Sequence, residues 1–158
     1  MRNVVSEDLR NIWERMSRSA AWHCANERAC IHGDAARDLN EWGTASEEAR
    51  LAGEREDLSP ETLTNIRWGI WNGAWHTANR IYGNQGDAQQ DLDRWTRHWQ
   101  AVHDDQVLNS ALIDDVRWMA WNFAEWASNV RKGSQFWADQ GYTRAVCHAG
   151  YILQPPSL

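Results

Sequence analysis

The sequence predicts an all-α protein made of three tandem αα-hairpin repeats, about six helices, stacked as a short solenoid-like array or a compact helical bundle. Two observations carry this. Shifted by 53 residues, the stretch from Trp22 to Trp42 matches Trp75 to Trp95 at ten of 21 positions without a gap. A further shift of 50 carries Arg67, Trp68, Trp71, Asn72, Ala74, Asn79 and Gly83 onto Arg117, Trp118, Trp121, Asn122, Ala124, Asn129 and Gly133. Self-similarity at a fixed period is the mark of a repeat architecture. Within each unit apolar residues recur at three and four spacings, and the chain has only 3 prolines, two of them at the C-terminal end, which favours helix throughout.

Helices are expected near 7–31, 35–54, 60–82, 88–106, 110–131 and 135–153, giving repeats of approximately 6–55, 59–108 and 109–153 in a single domain, 1–158. Gly33 and Gly86 suit the left-handed residue that ends a first helix, and Asp34 and Asp87 suit caps of the second. Gly133 and Ser134 are expected to do the same in the third unit. Ser59-Pro60-Glu61 combines a cap, a proline tolerated at the first helical position and an acid in the first turn, with Asn109 or Ser110 in the equivalent place later. Pro155-Pro156 marks a short tail, 154–158.

At 158 residues the chain can bury a core without disulfides or metals. No run approaches the roughly 18 consecutive apolar residues of a spanning helix, and Met1 to Asp8 lacks a signal peptide's apolar stretch, so a cytoplasmic location is expected. Cys24, Cys30 and Cys147 are odd in number and lack a CxxC spacing, which predicts reduced thiols. The net charge of -6, concentrated before residue 58, disfavours binding to a phosphate backbone.

Tryptophan is the compositional outlier, with 12 of the 17 aromatic residues. On the third helix Leu63, Ile66, Ile70, Ala74 and Ile81 share one side, while Trp68, Trp71, Asn72, Trp75 and Asn79 share the other, which places this helix in the middle of the protein. Trp118, Trp121, Asn122, Glu125 and Asn129 take the same face of the fifth helix, and Arg15, Arg18, Ser19, Trp22 and Asn26 that of the first. A tryptophan stripe at helical spacing is usually core, packed here against Leu39, Trp42, Leu92, Trp95, Trp99 and Trp137. A ligand site would instead use what differs between units: Arg15 and Arg18 at one end of a tryptophan- and asparagine-lined cavity and Glu125 at the other.

Histidines 23, 32, 76, 98, 103 and 148 form no HExxH or ExxH pattern, and His23 and His76 are equivalent under the shift, which favours a structural role. Cys147-His148 would need a distant cysteine to make a metal site. No GxSxG elbow, P-loop or dinucleotide fingerprint is present, Gly83-Asn84-Gln85-Gly86 is a turn, and Asp104-Asp105 and Asp114-Asp115 splay apart on a helix. The expected function is therefore non-enzymatic protein binding of the inhibitor or immunity-protein type found in bacteria and phage, with no catalytic residue, metal or cofactor. The alternative is a binder or sensor of a small planar or cationic molecule, with an enzyme drawing its acid and base from Glu125, Asp114, His76 or His23 as a third reading. For either binding reading the candidate site is Arg15, Arg18, Trp68, Trp71, Asn72, Trp75, Asn79, Trp118, Trp121, Asn122 and Glu125.

Overall fold

The structure, a computed structural model, describes residues 5–139. Over that span it is all-helical: α1 (Glu7–Arg28), α2 (His32–Arg55), α3 (Pro60–Ile81), α4 (Gln85–Asp104) and α5 (Ser110–Asp139). The helix starts follow local chemistry. Ser6 accepts from the Leu9 N–H and Ser59 from the Thr62 N–H, each at 3.1 Å. Pro60 opens α3, where its missing N–H costs nothing. The Asn109 side chain accepts from the Leu112 N–H at 2.9 Å and caps α5.

The turns differ from expectation. The left-handed residues are Cys30 (φ 61°) and Gly83 (φ 85°), which the 53-residue shift relates, together with Asp57 and Gln106. At the first two of these ends a backbone N–H five residues on closes the turn, Ile31 to the Asn26 carbonyl and Asn84 to that of Asn79, both at 2.8 Å. Gly33 and Gly86 therefore lie inside the first turns of α2 and α4, and Asp34 and Asp87 complement the helix dipole there rather than capping. Gly133 and Ser134 end nothing. Helix α5 runs through them, and the Ser134 hydroxyl donates to the Val130 carbonyl at 3.0 Å. One glycine costs an α-helix only about 1 kcal/mol, too little to break one. The sixth helix is thus not separate over 135–139, where the backbone of Trp137 continues α5, and the rest of its span, with Cys147-His148 and the following Pro155-Pro156, lies outside what the structure describes.

Helices α1, α3 and α5 pack mutually as an inner triangle, with α2 outside α1 and α3, and α4 outside α3 and α5. Because α5 returns to α1, the array closes rather than winding open. One core fills the triangle, with Leu9, Trp13, Met16 and Ala20 along α1, Ile66, Ile70 and Ala74 along α3, and Leu112, Val116, Ala120 and Phe123 along α5. Repetition every three or four residues puts each set on one stripe.

Two glycines of α3 set how near α4 can come. A Cβ at Gly69 would lie 2.6 Å from the Trp99 ring, and one at Gly73 would lie 2.9 Å from that of Trp95. The shift-related positions of the first hairpin hold Met16 opposite Ser46 and Ala20 opposite Trp42. Where α3 gives up a side chain at Gly69, α4 supplies an indole. Where α1 keeps Met16, α2 has only a hydroxymethyl.

Candidate functional site

The tryptophan-asparagine face lies along two seams between helices. At the first, the His23 ring of α1 stacks on Trp71 of α3 (centroids 5.4 Å apart, 19° between planes) and meets the edge of Trp75 at 5.9 Å. Trp42 of α2 reaches Trp71 at 5.1 Å, and the Arg67 guanidinium lies 4.8 Å from the Trp68 ring and 6.0 Å from that of Trp42. At the second seam His76 meets Trp121 at 5.2 Å and Trp95 meets Trp121 at 5.1 Å. Arg117 there lies 5.0 Å from Trp118 and 5.6 Å from Trp95. Each aromatic pair adds about 0.5–1.5 kcal/mol beyond the area it buries, so the seams are cohesive in their own right.

The buried asparagines find partners within the protein. Asn26 Nδ2 donates to Asp38 across the α1–α2 hairpin and Asn79 Nδ2 to Asp91 across α3–α4, both at 2.9 Å. Burial pushes both carboxyls above their ordinary value, against the asparagine bonds, which lower them. Asn72 donates to the Trp68 carbonyl at 2.8 Å, and Asn129 to that of Glu125 at 2.8 Å on the surface. His23 and His76 each donate from Nδ1 to a carbonyl twelve residues on, that of Ala35 at 2.7 Å and that of Ala88 at 2.6 Å. A carbonyl only accepts, which fixes the donor.

The three faces do not converge on one cavity. Arg15 is engaged by Glu41 (3.0 Å) and Glu48 (2.5 Å) of α2, which hold its pKa above the usual arginine value. Arg18 is exposed, bonds Glu14 at 2.8 Å and lies over the Phe123 ring. Glu125 pairs with Arg80. Trp71, Asn72, Trp75 and Asn79 do come together, lining an open groove of about 330 Å³ with Asp87, Gln90, Asp91 and Arg94. Trp68 stays at the rim of the first seam, Asn122 is half-buried on α5, and Trp118, 45% exposed, stands at the outer edge of the second seam behind Trp121 and Trp95.

Arg131 escaped sequence reasoning. It is buried on α5, donates from Nε to Asn26 Oδ1 at 2.5 Å, and lies 4.9 Å from the Trp22 ring, while Trp22 meets Trp126 at 5.3 Å. These contacts join α5 to α1. The shift relates Arg131 to Ile81, so no internal match flagged it. The partners of Asn26 and Asn79 were more legible, because Asp38 and Asp91 are among the ten matched positions. Cys24 is buried, which pushes its thiol pKa up, and Cys30 is exposed.

Among the described residues no helix is long and apolar enough to cross a membrane, and no group of three or more His, Cys, Asp or Glu is placed to hold a metal ion. No family model, curated protein or solved structure matches the chain.

Proposed function

We propose that the chain is a protein-binding module of the inhibitor or immunity type, built from three tandem hairpin units whose third begins with α5. The observation that carries this reading is Trp118. It is a large apolar ring, 45% exposed, held by Trp95 at 6.0 Å and Trp121 at 5.8 Å with the Arg117 guanidinium on its face. Tryptophan and arginine dominate the binding energy of protein interfaces, and a ring held rigid before contact loses little entropy on docking. Arg117 is in turn steadied by Asp114 at 2.7 Å, so the edge is ready-made for one anchor of a partner. The net charge of -6 favours a partner that is basic around that anchor.

A photo-crosslinking residue at position 118, with a second at exposed Leu39 on α2 as control, tests this in extract of the source cell. The expected result is one protein captured from position 118 and not from 39, which then binds the purified chain and loses at least tenfold in affinity on Trp118→Ala. A partner captured equally from both positions, or unaffected by Trp118→Ala, contradicts the reading. The second reading, a small cationic or planar ligand, is favoured by the groove that gathers Trp71, Asn72, Trp75 and Asn79 beside Asp87 and Asp91, and a ligand displaced by Trp75→Ala would establish it.

A further inference from the structure

The first two hairpins share a polar site, and the chain fills it in the first. There the Arg131 guanidinium of α5 lies over the Trp22 ring at 4.9 Å, donates from Nε to Asn26 Oδ1 at 2.5 Å and comes within 3.9 Å of Asp34. Asn26 presents its oxygen to the guanidinium because its Nδ2 is taken by Asp38, which as a carboxylate only accepts. The 53-residue shift carries Trp22, Asn26, Asp34 and Asp38 onto Trp75, Asn79, Asp87 and Asp91, all four unchanged. Those four line the open groove between α3 and α4, of about 330 Å³.

In the second hairpin the same asparagine is set the same way, and its oxygen has no donor. Asn79 Nδ2 donates to Asp91 at 2.9 Å, as Asn26 does to Asp38. Asn79 is only 5% exposed and lines the groove, yet its Oδ1 accepts nothing among the described residues. Unlike the Thr77 hydroxyl, that oxygen is not sealed from solvent. Nor does any cation lie over Trp75 among the described residues. Arg28, which the shifts relate to Arg131, lies against the Asn84 side chain instead and does not line the groove. Arg94 reaches Asp91 from its own helix at 3.4 Å, which leaves Asp87 without an ion pair among the described residues and the groove with an excess of negative charge. Arg37, which pairs with Asp34 at 3.6 Å in the first hairpin, is replaced here by Gln90.

We propose that this groove binds a guanidinium group, stacked on Trp75 and donating to Asn79 Oδ1 and Asp87, as Arg131 is held in the first hairpin. A buried acceptor calls for a donor, the unpaired carboxylate calls for a cation, and the indole calls for one that is flat. Guanidinium meets all three, whereas an ammonium is a point charge that cannot stack while donating in a fixed plane. The proposal deepens the reading of this groove as a cation site and does not rest on the edge at Trp118.

The test is titration of the full chain with N-acetyl-arginine amide, followed by ¹H–¹⁵N NMR at the Trp75 indole and the Asn79 side-chain amide, with N-acetyl-lysine amide and N-acetyl-citrulline amide as point-charge and neutral controls. Saturable shifts are expected at these two groups and not at Trp22 or Asn26, whose site Arg131 fills, and both controls should bind about tenfold more weakly. Asp87→Asn and Gln90→Arg, at exposed positions, should each weaken the arginine probe about threefold, the first by removing the free carboxylate and the second by pairing it. Arg131→Ala should open the first site, so that the probe then also shifts Trp22 and Asn26; the two surface variants carry the test if this one does not fold. Tighter binding of free L-arginine than of the blocked form assigns the guanidinium to a small molecule, and the reverse to an arginine within a polypeptide. Absence of saturable shifts overturns the proposal together with the cation reading of the groove. Equal binding of the arginine and lysine probes, or binding indifferent to both surface variants, overturns the guanidinium alone.

Discussion

His76 donates its Nδ1 proton to the carbonyl of Ala88 at 2.6 Å while its ring face meets Trp121 at 5.2 Å, so one side chain ties the α3–α4 turn to the α5 seam. The two contributions are separable. His76→Phe keeps a ring on Trp121 and loses the donor, which should cost about 0.5–1.5 kcal/mol of stability in urea unfolding. His76→Ala loses both and should cost more. Equal costs would mean that the ring contact contributes nothing.

The size exchange between Gly69–Trp99 and Met16–Ser46 predicts coupling. Gly69→Met should lose about 1–3 kcal/mol by forcing Trp99 aside, and Trp99→Ser should lose about 3–5 kcal/mol as a cavity. The pair Gly69→Met/Trp99→Ser imports the first hairpin's solution and should cost less than the sum by at least about 1 kcal/mol in a double-mutant cycle. Additive losses would show that the exchange is coincidental.

Asp38 and Asp91 predict a pH signature. Burial raises both carboxyls above the ordinary 3.8, so the folded protein holds protons that the unfolded chain has released. Their contribution to stability is therefore present in full below 3.8 and is lost as pH rises through the raised folded values. Asp38→Asn/Asp91→Asn removes the titration and keeps an acceptor for each asparagine. Melting curves across pH should show the variant gaining on the native protein through that window and running parallel to it above. A constant offset at all pH values would contradict the assignment.

Arg131 closes the triangle through Asn26 and Trp22. Arg131→Met should cost about 1.5–3 kcal/mol, the worth of a hydrogen bond to a charged group, and Arg131→Lys should recover little of it, because an ammonium cannot both stack on the indole and reach Asn26 from a planar Nε–H. Calorimetric melts of the two variants check this.

What the sequence disclosed was local or repeated. Ser59-Pro60 and Asn109 mark their helix starts through chemistry spanning three residues, and the alternation of isoleucine and tryptophan sides on α3 placed it centrally. The turn residues were missed by three positions because Cys30, where the shift puts Gly83, hides a left-handed site behind an ordinary side chain. Of the candidate site, Trp71, Asn72, Trp75 and Asn79 share a groove because they share a helix face. Arg15 and Glu125 are diverted by Glu41, Glu48 and Arg80 of other helices, and pairing between different helices leaves no periodic trace, whereas Arg18 is taken by Glu14 one turn earlier on α1, a spacing the sequence does carry.

The most direct test separates seam from surface by comparing Trp71→Ala with Trp118→Ala in unfolding free energy and in capture of the protein crosslinked at position 118. Trp71 contacts Trp42, His23 and Trp75 and should cost about 3–5 kcal/mol, whereas Trp118→Ala should cost about 1 kcal/mol and lose the partner. If Trp118→Ala retains the partner, or destabilises as much as Trp71→Ala, the exposed ring is a packing element and the protein-binding account is wrong.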